Sequence, residues 1–155
     1  MYLQVDDIHK LNVYAKGNKN GVPVIFLHGG PGGNVDEKCE MFFDFKKHFV
    51  IFFDQRGCGK SIPFAEIKNN NIDNLVEDIE KIRKYYKIDD VVLFGGSFGS
   101  TLALCYAIKY LIFNHSHSGK VTSNSLNRVL HQGNPFFWNA VIACSFVECI
   151  SYYVF

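Results

Sequence analysis

Three short apolar runs, each ending on a cluster of glycines, constrain this chain more than any other feature. Val22 to Leu27 (VPVIFL), Phe49 to Phe53 (FVIFF) and Val91 to Phe94 (VVLF) are rich in β-branched and aromatic residues. They are too short for helices and read as buried strands. The first runs into HGGPGG at 28–33, the second into DQRGCGKS at 54–61, the third into GGSFGS at 95–100. Between the second and third, Ile72, Leu75, Val76, Ile79, Ile82 and Tyr86 recur at three- and four-residue spacing, with Glu77, Asp78, Glu80, Lys81 and Lys84 on the other face. That pattern predicts an amphipathic helix over 72–86, capped by Asn71, with Asp73 favourably placed in the helix dipole. Further helices are expected over 98–110 and around 36–45, and the alternating Leu11–Tyr14 segment suggests a half-exposed edge strand. Strands alternating with helices predict an α/β fold with a mostly parallel sheet covered on both faces.

Composition narrows the function classes. The 155 residues carry a formal net charge of +1, which disfavours nucleic acid or an anionic membrane surface as partner. A hydrophobic content of 48% argues against disorder. Cys39, Cys58, Cys105, Cys144 and Cys149 are odd in number and contain no CxxC pair, so reduced thiols and a cytoplasmic location are expected, with no disulfide framework and no zinc site. The opening MYLQVDDIHK lacks the apolar run of a secretory signal. The apolar stretch 136–155 is interrupted by Asn139, Ser145, Glu148 and Ser151, which disfavours a membrane span. Character changes after Tyr110: residues 111–155 hold only three charged side chains, Lys120, Arg128 and Glu148. The chain therefore divides into an α/β unit over 1–110 and a divergent tail over 111–155.

The most specific local signal is Gly95-Gly96-Ser97-Phe98-Gly99, a G-x-S-x-G between a buried strand and a helix. This context suits a nucleophile elbow, with Ser97 on a strained strand-to-helix turn and small neighbours at Gly95 and Gly99 relieving backbone crowding. The helix N-terminus behind it offers N–H groups to a developing oxyanion. Acyl transfer needs a second donor from a neighbouring loop, and glycines let the loop at 28–33 approach closely. Phe98 N–H with a donor from Gly29 or Gly30 would make the pair, whereas His28 reads as structural. Gly59-Lys60-Ser61 invites a phosphate-loop reading, but the glycine required five positions earlier is Asp54, and Pro63 interrupts the helix that should follow.

Taken together and in order, HGGPGG, DQRGCGKS and GGSFGSTLAL resemble the proline iminopeptidases, serine aminopeptidases with the α/β-hydrolase fold. The resemblance covers residues 1–110 and implies the N-terminal part of that fold, incomplete, joined to an unrelated C-terminal tail. It implies Ser97 as nucleophile and Phe98 N–H as oxyanion donor, the family's usual tryptophan being replaced by Phe98. It places His28, Pro31, Gly32, Gly95, Gly96, Gly99, Asp54, Gln55 and Arg56 in active-site loops. The implied substrate is a peptide with an N-terminal proline, and no metal or organic cofactor is implied.

The resemblance ends where the family continues into a helical cap and the rest of the sheet, which bring the triad acid and histidine. After Asp90 the only acid is Glu148, and His115, His117 and His131 all precede it, so no acid-then-histidine pair follows Ser97. Little or no activity is expected of the 155-residue chain, because serine needs a base to accept its proton. A sheet cut off after its nucleophile strand is expected to self-associate through its exposed edge. Two other readings remain open: a non-catalytic α/β scaffold that uses the tail as a contact surface, and a fragment whose tail arises from a missed splice or frame change.

Overall fold

The computed structural model describes residues 1–112. Five strands, β1 (Tyr2–Gln4), β2 (Lys10–Gly17), β3 (Val22–Leu27), β4 (His48–Phe53) and β5 (Val92–Gly95), form one sheet in the order β1-β2-β4-β3-β5. β3 lies between β4 and β5 and is parallel to both, while β2 runs antiparallel to β1 and β4. Four of the five strands therefore point the same way. Helices α1 (Glu37–Glu40), α2 (Ile72–Tyr85) and α3 (Phe98–Tyr106) complete the unit, and α3 passes into a π-helical segment, Ala107–Ile112. The tail, with its histidines, Glu148 and the apolar stretch 136–155, lies outside the described residues.

Strand alternation divides the core into two layers. Ile25 and Leu27 of β3 and Ile51 and Phe53 of β4 face α2 and α3, where they meet Leu75, Val76, Ile79, Ile82, Leu102 and Tyr106. Val24, Phe26, Val50 and Phe52 face the opposite way and pack on Phe43, with Val35, Phe45 and Phe94 around them. Each such aliphatic or aromatic side chain stabilises the fold by roughly 1.5–3 kcal/mol when fully buried. Asn71 caps α2 by accepting the Asn74 N–H at 3.0 Å, and Asp73 occupies its first turn.

Several local expectations change. The Leu11–Tyr14 segment is interior, because β1 adds outside it; Leu11 and Val13 are fully buried, and Tyr14 stacks on Phe52 on the other face. β1 has only three residues, too few to show a strand period. The helix expected near 36–45 is a single turn capped by the Asp36 carboxylate, and Phe43 turns inward just beyond it. Two charges expected on the outer face of α2 are buried. Asp78 pairs with Arg56, and Glu80 receives Arg83 and the Tyr106 hydroxyl.

Candidate active site

The chain leaves β3 to make β4 on one side and later β5 on the other. The carboxyl end of β3 is therefore the topological switch point, the place where open α/β sheets bind ligands. All three glycine-rich segments begin at the carboxyl ends of β3, β4 and β5.

The turn after β5 is shaped by space. A Cβ on Gly99 would lie 2.1 Å from the Leu27 carbonyl oxygen, and one on Gly95 would lie 2.7 Å from the Gly99 carbonyl carbon. Glycine at both positions lets α3 start directly against the end of β3. Ser97, between them, has φ 53° and ψ −126°, a conformation that L side chains rarely adopt. It is exposed, stands at the N-cap of α3, and makes no side-chain capping bond. The adjacent Ser100 is the opposite: it is buried, and its hydroxyl donates to the Gly95 carbonyl at 2.7 Å, tying the turn back to β5. Phe98 supplies the first helical N–H while its ring packs against the core.

The loop after β3 lies beside this turn. A Cβ on Gly29 would be 3.5 Å from Ser97 Cβ and 3.4 Å from the Gly96 carbonyl, so Gly29 borders the serine and even a methyl there would touch it. His28 is buried behind it. One ring nitrogen, Nδ1, lies 2.8 Å from the Gly29 carbonyl, and the other, Nε2, is 2.9 Å from the Gln55 backbone nitrogen. The Gln55 N–H can only donate, so Nε2 accepts and the proton sits on Nδ1, which donates to Gly29. Burial pushes the His28 pKa below its ordinary value, against weaker opposing effects of the Gly29 carbonyl and the Asp54 charge. The Gln55 side chain returns a bond from Nε2 to the His28 carbonyl at 2.8 Å. Pro31 and Gly32 are exposed at the loop's tip.

The loop after β4 is organised by buried charge. Asp54 accepts N–H bonds from Val35 (2.9 Å) and Lys60 (2.9 Å) and a side-chain bond from Asn12 (3.0 Å). Gly59 gives way to this carboxylate, since a Cβ there would fall 2.4 Å from the Asp54 carboxyl carbon. The Lys60 amide that a phosphate would need is thus occupied by an anion of the chain itself. Arg56, in the same loop, is directed away from Ser97. Its guanidinium forks onto Asp78 of α2 through Nε and Nη2 (2.5 and 2.7 Å), and Nη1 reaches Asp6. Burial raises the Asp6 pKa, but the His9 and Ile8 N–H groups and the Arg56 charge outweigh it and hold that carboxyl well below the usual range.

Structure thus sets Gly29 beside Ser97 and Phe98, with Gly30 next in the same loop, and uses His28, Asp54, Gln55 and Arg56 to hold the surrounding loops. Sequence reasoning missed Ser100, Asn12, Asp78 and Asp6. A signal for Asp78 was present, since it stands three residues after Leu75 and four before Ile82, on the apolar stripe of α2.

The described histidines other than His28 are remote from the serine. His48 opens β4 at the amino ends of the strands, and His9 sits beside β2 against the Asp6 carboxylate. β2 is three strand spacings from β5, about 14 Å. A depression of about 280 Å³ opens beside Asp54, between Tyr14, Val35 and Lys60, on the β2–β4 side of the sheet's carboxyl edge. Among the described residues no group of three or more His, Cys, Asp or Glu side chains could hold a metal ion, and no helix is long and apolar enough to cross a membrane.

The sequence matches the family model described as alpha/beta hydrolase fold over residues 22–141, continuing past the described part. It is 49% identical over 106 residues to the proline iminopeptidase of Neisseria gonorrhoeae, covering 68% of this chain and 34% of that protein. It is 47% identical over 120 residues to the proline iminopeptidase of Arabidopsis thaliana, covering 77% and 30%. Among solved structures it is similar to a proline iminopeptidase-related protein from Thermus thermophilus, with a TM-score of 0.65 at 30% identity over 72% of this chain and 40% of that one. The Mycobacterium smegmatis proline iminopeptidase gives 0.61 at 25% identity, over 71% and 39%. The chain spans about a third of the length of the curated relatives it matches.

Proposed function

Because the chain belongs to the alpha/beta hydrolase family, on its proline iminopeptidase branch, we propose that it carries the nucleophile-bearing part of a serine aminopeptidase that releases N-terminal proline from peptides. The observation behind this reading is the exposed, strained Ser97 at the start of α3, bordered by Gly29. Ser97 Oγ attacks the carbonyl carbon of the N-terminal proline residue, and the displaced π pair moves onto the carbonyl oxygen. Phe98 N–H and a donor from Gly29 or Gly30 stabilise that oxyanion. Collapse breaks the C–N bond as the leaving nitrogen takes the proton removed from Ser97, so the shortened peptide departs as an amine and proline is left esterified to Ser97. Water then cleaves the ester, releasing proline and restoring the hydroxyl.

The serine proton needs an acceptor, and none of the three described histidines serves. Both His28 nitrogens are engaged, and His9 and His48 stand elsewhere. On this proposal the histidine base is therefore not one of those in residues 1–112. Free thiols at Cys39, Cys58 and Cys105 suit action in the reducing cytoplasm.

The test is hydrolysis of a proline arylamide by the protein in its native cellular form and by the purified 155-residue chain. The native form should turn it over and lose that activity on Ser97→Ala, while the chain alone should run at least about 10³-fold slower, as triad-deficient serine hydrolases do. Equal cleavage of arylamides of other amino acids would remove the substrate assignment. Indifference to Ser97→Ala would remove the nucleophile and leave the scaffold reading.

A further inference from the structure

We propose that His28 is a positioning residue: as the neutral Nδ1–H tautomer it clamps the Gly29 carbonyl to the Gln55 amide and so fixes the oxyanion loop facing Ser97. This rests on reading Ser97 as the nucleophile. The clamp has three bonds, Nδ1–H to Gly29 O, Gln55 N–H to Nε2, and Gln55 Nε2–H to His28 O. The Gly29–Gly30 peptide is trans, so its carbonyl and N–H point in opposite directions. Holding the Gly29 oxygen on the imidazole therefore sets the direction of the Gly30 N–H as well. Glycines at 29, 30, 32 and 33 provide no side chains to pack, so at its Ser97 end the loop relies on the clamp. Its tip meets the Cys58 thiol at Gly32, and its far end is tied to Asp54 through the Val35 N–H.

The clamp depends on protonation. A proton on Nε2 would set N–H against the Gln55 N–H and break that bond, loosening the loop on the β4 side, where the Gln55 side-chain bond to the His28 carbonyl remains. Asp54 is the charged group facing His28 from the β4 loop, and its carboxylate favours the imidazolium; the Cys58 thiol shares that loop. The β5–α3 turn on the other side contributes Gly96 and Ser97, neither of which titrates. Burial opposes protonation more strongly than Asp54 favours it, so the clamp persists below the ordinary histidine value of 6.5 and opens only in more acid solution.

Two measurements on the full 155-residue chain test this. Long-range ¹H–¹⁵N spectra of the imidazoles, followed from about pH 8 to about pH 4.5, a span that brackets the ordinary histidine value, should show His28 as the Nδ1–H tautomer. The backbone amides of Gly29, Gly30 and Gln55 should move with its titration. An Nε2–H tautomer, or a titration that leaves those amides still, overturns the proposal. The second readout is the rate at which a fluorophosphonate labels Ser97. His28→Ala should slow labelling about tenfold at every pH, less than the loss of a whole oxyanion donor. His28→Gln, which returns an acceptor near the Nε2 position but cannot titrate, should recover most of the rate and lose the acid-side fall. An unchanged rate in His28→Ala overturns the proposal. Parent protein that never labels, with tautomer and amide shifts as described, supports the clamp and refutes the nucleophile.

Discussion

The turn after β5 and the loop after β4 solve the same problem in opposite ways. Both must hold backbone in a fixed place at the carboxyl edge of the sheet. The β5 turn does it by subtraction: Gly95 and Gly99 remove the Cβ atoms that would strike Leu27 and the start of α3. Ser97 is left exposed and strained between them. The β4 loop does it by addition, with Asp54 gathering N–H groups from two segments and Arg56 bridging Asp78 and Asp6. Positions governed by space fail when an atom is added. Positions governed by buried charge fail when a partner is removed.

The largest expected effect comes from the charged loop. Arg56→Ala leaves Asp78 buried without its partner and should cost about 3–5 kcal/mol in urea unfolding. Arg56→Lys should recover little, because an ammonium cannot fork across both carboxylate oxygens. If Arg56→Ala proves harmless, the contrast between the two loops fails. Next is Gly99→Ala, which drives a methyl onto the Leu27 carbonyl and should cost about 1–3 kcal/mol. Its neighbour sharpens the point: nothing lies within 4 Å of a Cβ at Gly96, so Gly96→Ala should change stability by no more than about 0.5 kcal/mol. Ser97→Gly should raise stability by about 1 kcal/mol by relieving the positive φ, while abolishing phosphonate labelling.

Alkaline pH probes a third buried contact. Burial, then the hydrogen bond and charge of Glu80, raise the Tyr106 pKa well above its ordinary value of 10. Above pH 10 the unfolded chain loses this proton while the folded one keeps it. The stability is therefore complete below pH 10 and is lost as pH rises beyond it. Denaturation series at rising pH should show that decline, and Tyr106→Phe should make it shallower while costing about 1 kcal/mol near neutrality.

The two loops also differ in how far they could be read from the sequence. The β5 turn is specified by neighbours: strand, glycine, serine, glycine and helix lie within a dozen residues, so local spacing shows both the turn and Ser97. The strands β3, β4 and β5 were legible for the same reason, each being an apolar run that leads into a glycine-bearing loop, although β5 lies at the sheet edge and is only half-buried. The β4 loop is specified by distance. Arg56 meets Asp78 and Asp6 across 22 and 50 residues, and no periodicity carries such a pairing. For that reason Asp78 reads as surface charge although its helical spacing places it among the apolar residues. β1 was hidden by its length, and the interior position of β2 followed from β1. The role of His28 as a buried structural residue was legible, but its two bonds, which fix tautomer and direction, exist only once the β3 and β4 loops are side by side.

The proposed function requires residues 1–112 to build an elbow and an oxyanion cradle around a single reactive serine. The direct test is to treat the 155-residue chain with a fluorophosphonate and locate the adduct by peptide mass spectrometry, with and without added imidazole as an external base. The adduct should form on Ser97 alone, slowly without imidazole and faster with it, while Ser100, buried and bonded to Gly95, stays unmodified. Absence of any adduct under both conditions, or labelling spread equally over other serines, would contradict the account.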